Sequence, residues 1–166
     1  GKQLGDILRS YAAGDYVSGI NKVGGISGSL YEGLTSDSFS LVERIIRDSG
    51  STMTDFGRVT GIQENGAELT NNKSLSSFDG ITPAVLGNAN GIHGETISNA
   101  DALNPVTYKS SNWNLAFIWE MSTTDPAYPK LRNPYLITSP EMLDLIRYNP
   151  RGHYRLGNDI DLAGFN

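Results

Sequence analysis

Two histidines, His93 and His153, are the only imidazole groups of the chain, and imidazole is the commonest general base and zinc ligand near neutral pH. His93 is followed by Gly94 and Glu95 without a second histidine at helical spacing, so the HExxH zinc-binding helix of metalloproteases is absent. His153 lies in an alternating polar and apolar segment, which predicts an exposed strand position. The sequence contains neither a nucleophile elbow nor a glycine-rich phosphate loop with lysine. We therefore expect no catalytic residue and no cofactor.

Carboxylates are the other groups that could do chemistry. Asp6, Asp15, Asp37 and Asp55 lie in glycine-rich segments that stacking could bring together. Glycoside hydrolysis needs two carboxyl groups about 5–10 Å apart, and β-helices can host such pairs. Nothing in the spacing pairs these four, so solvated turn aspartates are the preferred interpretation.

Asn158, Asp159 and Asp161 are weak calcium candidates, because alternating oxygen side chains suit that ion. The later acidic ligand of such a loop is missing before the chain ends. The preferred alternative is a strand end with turn-forming polar groups, so no metal is expected.

Aromatic residues gather in the second half of the chain, at Trp113, Trp119, Tyr128 and Tyr135. Flat aromatic faces could stack on sugar rings. They alternate with apolar neighbours, however, which favours a core that covers the open end of a stacked structure. We expect Trp113, Trp119 and Tyr128 to form this aromatic cap.

A glycine-bounded motif must position these groups. Residues 23–28 read Val-Gly-Gly-Ile-Ser-Gly, and residues 57–61 repeat four of these positions at an offset of 33. Such recurrence is typical of stacked repeats, in which each rung is one repeat. Ile26 and Val59 would point into the stack while glycines turn the corners. The predicted rung residues are Gly24, Gly25, Ile26, Gly28, Gly57, Val59 and Gly61.

The flanks repeat as well. Residues 5–12 lie over residues 33–40 at an offset of 28, with Tyr11 on Phe39, and residues 66–72 fit a third copy if one residue is inserted. Short strands between tight turns predict a mainly β chain folded as a parallel β-solenoid. The side chains expected in its continuous core are Ile7, Tyr11, Val23, Ile26, Phe39 and Val59.

Two segments depart from the strand pattern. Residues 41–48 have apolar positions on one helical face, which predicts a helical insertion, with a long edge strand as the alternative. Residues 133–166 predict a strand, a helix that begins at Thr138 or Ser139 with Pro140 in its first turn, and two further strands. The predicted domains are 1–132, the solenoid with its aromatic cap, and 133–166, a small α+β appendage.

Composition narrows the class of protein. The chain has 166 residues, a net charge of −5 and no cysteine. Its lysines and arginines do not cluster, which disfavours nucleic acid as a partner. No run of about 18 apolar residues exists, so a membrane-spanning helix is not expected. Both ends fall in mid-pattern, and we expect a segment of a longer protein.

Residues 23–28, bracketed by residues 10–14 and 38–40, resemble the GLUG motif repeats of large bacterial surface and secreted proteins. Residues 57–61 with residues 69–72 are similar to the terminal rung of such regions. The segment that closes such repeat regions is similar to residues 105–108, Trp113, Trp119 and residues 128–131. The lead-in segment that opens such regions is similar to residues 135–164.

The resemblance implies a right-handed parallel β-helix in a secreted, cell-surface or cell-wall-attached bacterial protein, often an adhesin. Similar repeats occur in non-catalytic regions of IgA-specific zinc metallopeptidases. This chain departs from the pattern, because it has only two or three rungs and places the lead-in last, where it either caps this solenoid or belongs to the next module.

The expected function is a non-enzymatic structural or adhesive module, a spacer that contacts a host or bacterial surface protein or glycan and neighbouring domains of its parent chain. The first alternative is an accessory domain that positions substrate in a large secreted metallopeptidase. The second is a carbohydrate-binding or polysaccharide-processing β-helix.

Overall fold

The computed structural model describes residues 1–49, 55–75 and 87–165. The chain is mainly β and forms two compact units, Gly1–Trp113 and Asn114–Asn166. The domain boundary predicted from sequence lies further along the chain, after residue 132, and it stays a prediction.

Three parallel sheets make up the first unit. Their orders are β1-β4-β7, β2-β5-β8 and β10-β9-β6-β3. The chain therefore visits the three sheets in the same order three times, and we call β1–β3, β4–β6 and β7–β9 the first, second and third layers. The strands are β1 (Lys2–Gln3), β2 (Ile7–Leu8), β3 (Tyr11–Gly19), β4 (Ser27–Leu30), β5 (Leu34–Ser36), β6 (Phe39–Arg47), β7 (Thr60–Gln63), β8 (Glu68–Thr70), β9 (Lys73–Leu75) and β10 (Glu95–Ile97).

The strand registers match the sequence offsets. Tyr11 pairs with Phe39 at an offset of 28, and Ser27 pairs with Thr60 at an offset of 33. Phe39 then pairs with Lys73 at an offset of 34. The predicted repeats and the single inserted residue in the third copy are confirmed.

Apolar side chains from successive layers pack together. Of the six predicted core residues, Val23, Phe39 and Val59 are buried, whereas Ile7, Tyr11 and Ile26 are only partly buried. Burial of this apolar area is the main stabilising contribution. One cluster contains Leu30, Val59, Ala67 and Leu69, with Ile26 and Ile92 against it. Another cluster contains Val23, Val42, Ile45 and Phe56, with Ala12 and Val17 against it.

The motif glycines allow close packing of backbones. A Cβ on Gly24 would lie 2.6 Å from the Gly61 nitrogen, and one on Gly61 would lie 2.5 Å from the Gly28 oxygen. Corner residues with left-handed backbone are Arg9, Asp37 and Asn71, whose φ angles are 47°, 53° and 52°. Gly25 lies in a bend before β4, whereas Gly28 and Gly61 lie within β4 and β7, so the motif glycines occupy both bend and strand positions.

Asn72 fastens the second layer to the third. Its side chain is fully buried, Oδ1 accepts from the Ser38 N–H at 3.1 Å, and Nδ2 donates to the Thr35 oxygen at 2.8 Å. Each of these buried backbone groups would cost about 1–3 kcal/mol if left unpaired. The side-chain amide of Asn72 therefore supplies hydrogen bonds to backbone groups of β5 and of the corner that follows it.

The predicted helical insertion over residues 41–48 is wrong. Residues 41–47 belong to β6, which pairs with β3 in eight parallel register positions, whereas β9 pairs with β6 only at Phe39 and Ser40 in the described part of the chain. The long strand given as the alternative is therefore what the structure shows. Leu41, Val42 and Ile45 are buried. Pairing with β3 along one side of the segment, together with burial of its apolar side chains, outweighs a helical spacing that had no tertiary partner.

Two short helices, α1 (Asn99–Ala102) and α2 (Pro105–Lys109), follow β10. Tyr108 packs on Phe39 with ring centroids 4.5 Å apart, and Trp113 packs edge-on against Phe39 at 5.6 Å. Trp113 also donates its indole N–H to the Asp37 oxygen at 2.7 Å. Trp113 is thus a core residue that contacts the second layer, not a cover over the last one.

The second unit contains two small sheets. The strands β11 (Trp119–Met121) and β12 (Pro129–Leu131) pair antiparallel, whereas β13 (Tyr135–Ile137) and β14 (Tyr154–Leu156) pair parallel. Between the latter run α3 (Pro140–Asp144) and a 3-10 helix (Leu145–Tyr148). None of the helices in the described ranges is long and apolar enough to cross a membrane.

The boundaries predicted for this region are partly right. Ser139 caps α3 by accepting from the Met142 N–H at 3.3 Å, as expected. The final strand predicted over residues 158–162 is wrong, because these residues have irregular backbone ahead of a turn at residues 163–164, where Asp161 Oδ1 accepts from the Ala163 N–H at 2.8 Å.

Candidate binding surfaces

The two histidines lie in different units. His93 is half-buried, its backbone oxygen accepts from Arg58 Nε at 3.1 Å, and its Nδ1 has no hydrogen-bond partner in the described ranges. Burial, followed by the positive charge of Arg58, lowers the pKa of His93. His153 Nδ1 pairs with the Arg132 oxygen at 2.9 Å. Each histidine is therefore hydrogen-bonded to an arginine residue of its own unit, which is a structural contact.

Protonation of His93 is expected to weaken the first unit. Because its pKa is lowered on folding, the unfolded chain binds the proton more readily and stability falls as pH drops below about 6.5. Chemical denaturation at pH 7.5, 6.5 and 5.5 should show this loss, and His93→Gln should reduce it. The matched variant His153→Gln should keep it. Equal pH dependence in the wild type and His93→Gln would contradict the assignment.

Carboxylates with lowered pKa titrate in a separate, more acidic range. Hydrogen bonds from Ser98 lower the pKa of Asp101, and hydrogen bonds from Lys22 and Ser29 lower that of Glu64. The stability that these two carboxylates contribute at neutral pH is therefore lost below about pH 4.5. A loss of stability between pH 7.5 and pH 5.5 can therefore be assigned to histidine rather than to these carboxylates.

The four candidate aspartates occupy different places in the layers. Asp6 lies between β1 and β2, where its carboxylate accepts from the Leu34 N–H at 2.9 Å. Asp37 is buried between β5 and β6 with its carboxylate accepting from side-chain amides. Asp15 lies within β3, and Asp55 precedes β7. Because each occupies a different corner or strand, stacking does not bring them together as a pair.

The calcium candidates form a local turn. Asn158 Nδ2 donates to the Asp159 oxygen at 2.6 Å and Asp161 accepts from Ala163. Within the ranges that the structure describes, no group of three or more His, Asp or Glu side chains could hold a metal ion.

A polar cleft of about 360 Å³ lies beside β9 and β10 in the first unit, bordered by α1 and α2. Its charged groups are Lys73, Glu95 and Asp101. Lys73 forms an ion pair with Glu95. Asp101 accepts from Ser98, which lowers its pKa. A glycosidase general acid needs the opposite, a carboxyl with a raised pKa.

A second pocket, of about 250 Å³, lies in the second unit. Tyr135 and Tyr154, paired across β13 and β14, have ring centroids 6.1 Å apart and tilted by 39°. The Tyr154 hydroxyl donates to the Asn149 oxygen at 2.8 Å. The lining residues are Ala116, Phe117, Tyr135, Ile137, Met142, Leu145, Asn149 and Tyr154.

The other two predicted cap residues, Trp119 and Tyr128, are half-buried in the second unit. The Trp119 oxygen accepts from Arg132 Nε at 3.1 Å, and the Tyr128 oxygen accepts from the Ser122 N–H at 3.0 Å. They belong to the β11–β12 region of the second unit, whereas Trp113 belongs to the first.

Sequence reasoning missed Arg58. This side chain is buried and its guanidinium donates to the oxygens of Leu75, His93 and Gly94 at 2.9–3.2 Å, and to Thr96 Oγ1 at 2.7 Å. A signal existed, because a charged residue stands inside the second copy of the glycine motif. Burial lowers the pKa of Arg58.

Asn149 and Phe117 were also missed. They reach one pocket from positions far apart in the chain, and no local pattern marks them.

No protein-family model, no curated protein and no solved structure matches this chain.

Proposed function

We propose that residues 1–113 form a parallel β-helix that serves as a non-enzymatic structural and adhesive module of an extracellular bacterial protein. The observation that carries this proposal is the ordered return of the chain to three parallel sheets, with offsets of 28, 33 and 34 between paired residues. A right-handed path is proposed because parallel strand connections are nearly always right-handed.

Stiffness follows from how the layers are joined. Parallel pairing links each strand to its counterpart, and Asn72 and Arg58 join backbone groups of different segments. Because each layer contacts its neighbours along the stack, such a structure is suited to holding other parts of a protein at a fixed spacing.

The resemblance to GLUG motif repeats supports placement at a cell surface, in a cell wall or in the medium. The absence of cysteine is compatible with each location. The proposed partners are a surface protein or glycan and adjoining domains of the parent chain.

Binding without turnover is the expected experimental result. Fluorescently labelled protein would be applied to an array of bacterial, plant and animal oligosaccharides, and new reducing ends would be measured after prolonged incubation. The proposal predicts retention on at least one glycan class and no new reducing ends. Absence of retention would contradict the adhesive part of the proposal.

Polysaccharide processing is the alternative function that the polar cleft beside β9 and β10 would serve, because Glu95 and Asp101 both line it, although the lowered pKa of Asp101 is unsuited to a general acid. Under that alternative, reducing ends would form and Glu95→Gln or Asp101→Asn would abolish their formation. This outcome would replace the proposed function.

A further inference from the structure

We propose that the pocket between β13, β14 and α3 in the second unit binds one neutral pyranose ring of a glycan. The inference rests on the adhesive role proposed above, for which it names a site and a ligand class.

The size of the pocket favours a single ring. Its volume of about 250 Å³ lies below the range of roughly 300–1,000 Å³ that accommodates drug-sized ligands. An extended chain of sugars would therefore enter by one residue, with its remaining residues in solvent.

Aromatic faces supply the apolar part of the site. Tyr135 is 61% exposed and Phe117 is 41% exposed, although both line the pocket. A pyranose ring presents C–H groups on its flat face, and such a face can cover an aromatic ring that water otherwise contacts. Ile137, which is buried, adds apolar surface to the same pocket.

The polar groups of the pocket can form hydrogen bonds with sugar hydroxyls. Asn149 lines the pocket, and its side-chain amide has no hydrogen-bond partner among the described residues, so it retains two donors and an acceptor. The Tyr154 hydroxyl uses its proton on the Asn149 backbone oxygen and keeps its lone pairs for a ligand donor. An apolar peptide side chain would leave this amide unpaired, whereas a sugar hydroxyl would pair with it.

The charge of the lining selects a neutral ring. No aspartate, glutamate, lysine or arginine is among the described residues that border the pocket. A carboxylated sugar would therefore lose water without gaining a charged partner, which is unfavourable.

The test is an NMR titration of the whole chain with methyl glycosides of neutral hexoses and N-acetylhexosamines, with methyl glucuronide as the charged comparison. Saturable shifts at Phe117, Tyr135 and Asn149 with at least one neutral glycoside are expected, and tighter binding than for the glucuronide. Tyr135→Ala should weaken binding about five- to tenfold, and Asn149→Ala should also weaken it. Tyr135→Phe keeps the ring and should bind within about twofold of the wild type.

The matched control is Tyr148→Ala. Tyr148 is 75% exposed in the same unit and does not line the pocket, so its variant should bind as the wild type does. The proposal is overturned if no neutral glycoside shifts the pocket resonances at about 50 mM, if Tyr148→Ala weakens binding as much as Tyr135→Ala, or if a phenylalanine-rich peptide occupies the pocket instead. Array binding that survives Tyr135→Ala would overturn this site alone, whereas release of reducing ends would overturn the proposed function.

Discussion

Val59→Asp is expected to abolish cooperative folding of the first unit at room temperature. Val59 is fully buried and packs with Leu30, Ala67 and Leu69 of the second and third layers. An aspartate there would place an unpaired carboxylate among apolar side chains of two layers. A cost of at least about 4 kcal/mol is expected, a large part of the 5–15 kcal/mol that stabilises a typical domain. Circular dichroism melting would measure it.

The same substitution at Val106 is the matched control. Val106 lies in α2 and is 64% exposed, so Val106→Asp should keep the melting temperature of the wild type. Ile26→Asp should fall between the two, because Ile26 packs against the same cluster but is only partly buried. An unchanged melting temperature for Val59→Asp would show that these residues do not form the core between layers.

Arg58→Met is expected to cost at least about 2 kcal/mol, because each buried carbonyl oxygen left without a donor costs about 1–3 kcal/mol. The substitution keeps the length of the side chain and removes the donors that pair with the oxygens of Leu75, His93 and Gly94. Arg58→Lys should be destabilised as well, because an ammonium group cannot reproduce the planar fork of a guanidinium. Urea denaturation would give the free energy of unfolding for each variant.

An exposed arginine in the same unit provides the control. Arg44 lies in β6 with its side chain exposed, so Arg44→Met should change the free energy of unfolding by less than about 1 kcal/mol. If Arg58→Met and Arg44→Met had equal stability, the guanidinium would not be holding the segment around Gly94 against the third layer.

The register of the layers was predictable from the sequence, because close contacts between stacked layers restrict the residue type at equivalent positions. A side chain at a close approach, such as position 24 or 61, would meet the backbone of the adjacent layer, so glycine recurs at the spacing of the layers. The offset of 28 between the first and second layers puts Tyr11 beside Phe39, and both positions carry an aromatic residue.

Elements whose structure depends on distant partners were not predictable in the same way. Residues 41–48 fit a helical face as well as a strand, and only the pairing of β6 with β3 decides between them. Trp113 is placed by its contacts with Phe39 and Asp37, from far along the chain. The pocket of the second unit joins Phe117 to Asn149, which no periodicity connects.

The most direct test of the stacked layers is disulfide formation between paired residues. The chain has no cysteine, so introduced thiols would be the only ones. Adjacent strands lie about 4.8 Å apart, within the Cα separation of about 4.4–6.8 Å that a disulfide requires. Tyr16 pairs with Arg44, and Leu34 pairs with Glu68.

Two double variants, Tyr16→Cys with Arg44→Cys and Leu34→Cys with Glu68→Cys, are predicted to cross-link within each molecule under mild oxidation. The change in mobility on non-reducing gels measures the reaction. Ser18→Cys with Arg44→Cys is the control, because Ser18 pairs with Ile46 and is two positions out of register. Rapid cross-linking of both paired variants and slow cross-linking of the control would confirm the layers, whereas equal rates in all three, or no cross-link in the paired variants, would contradict them.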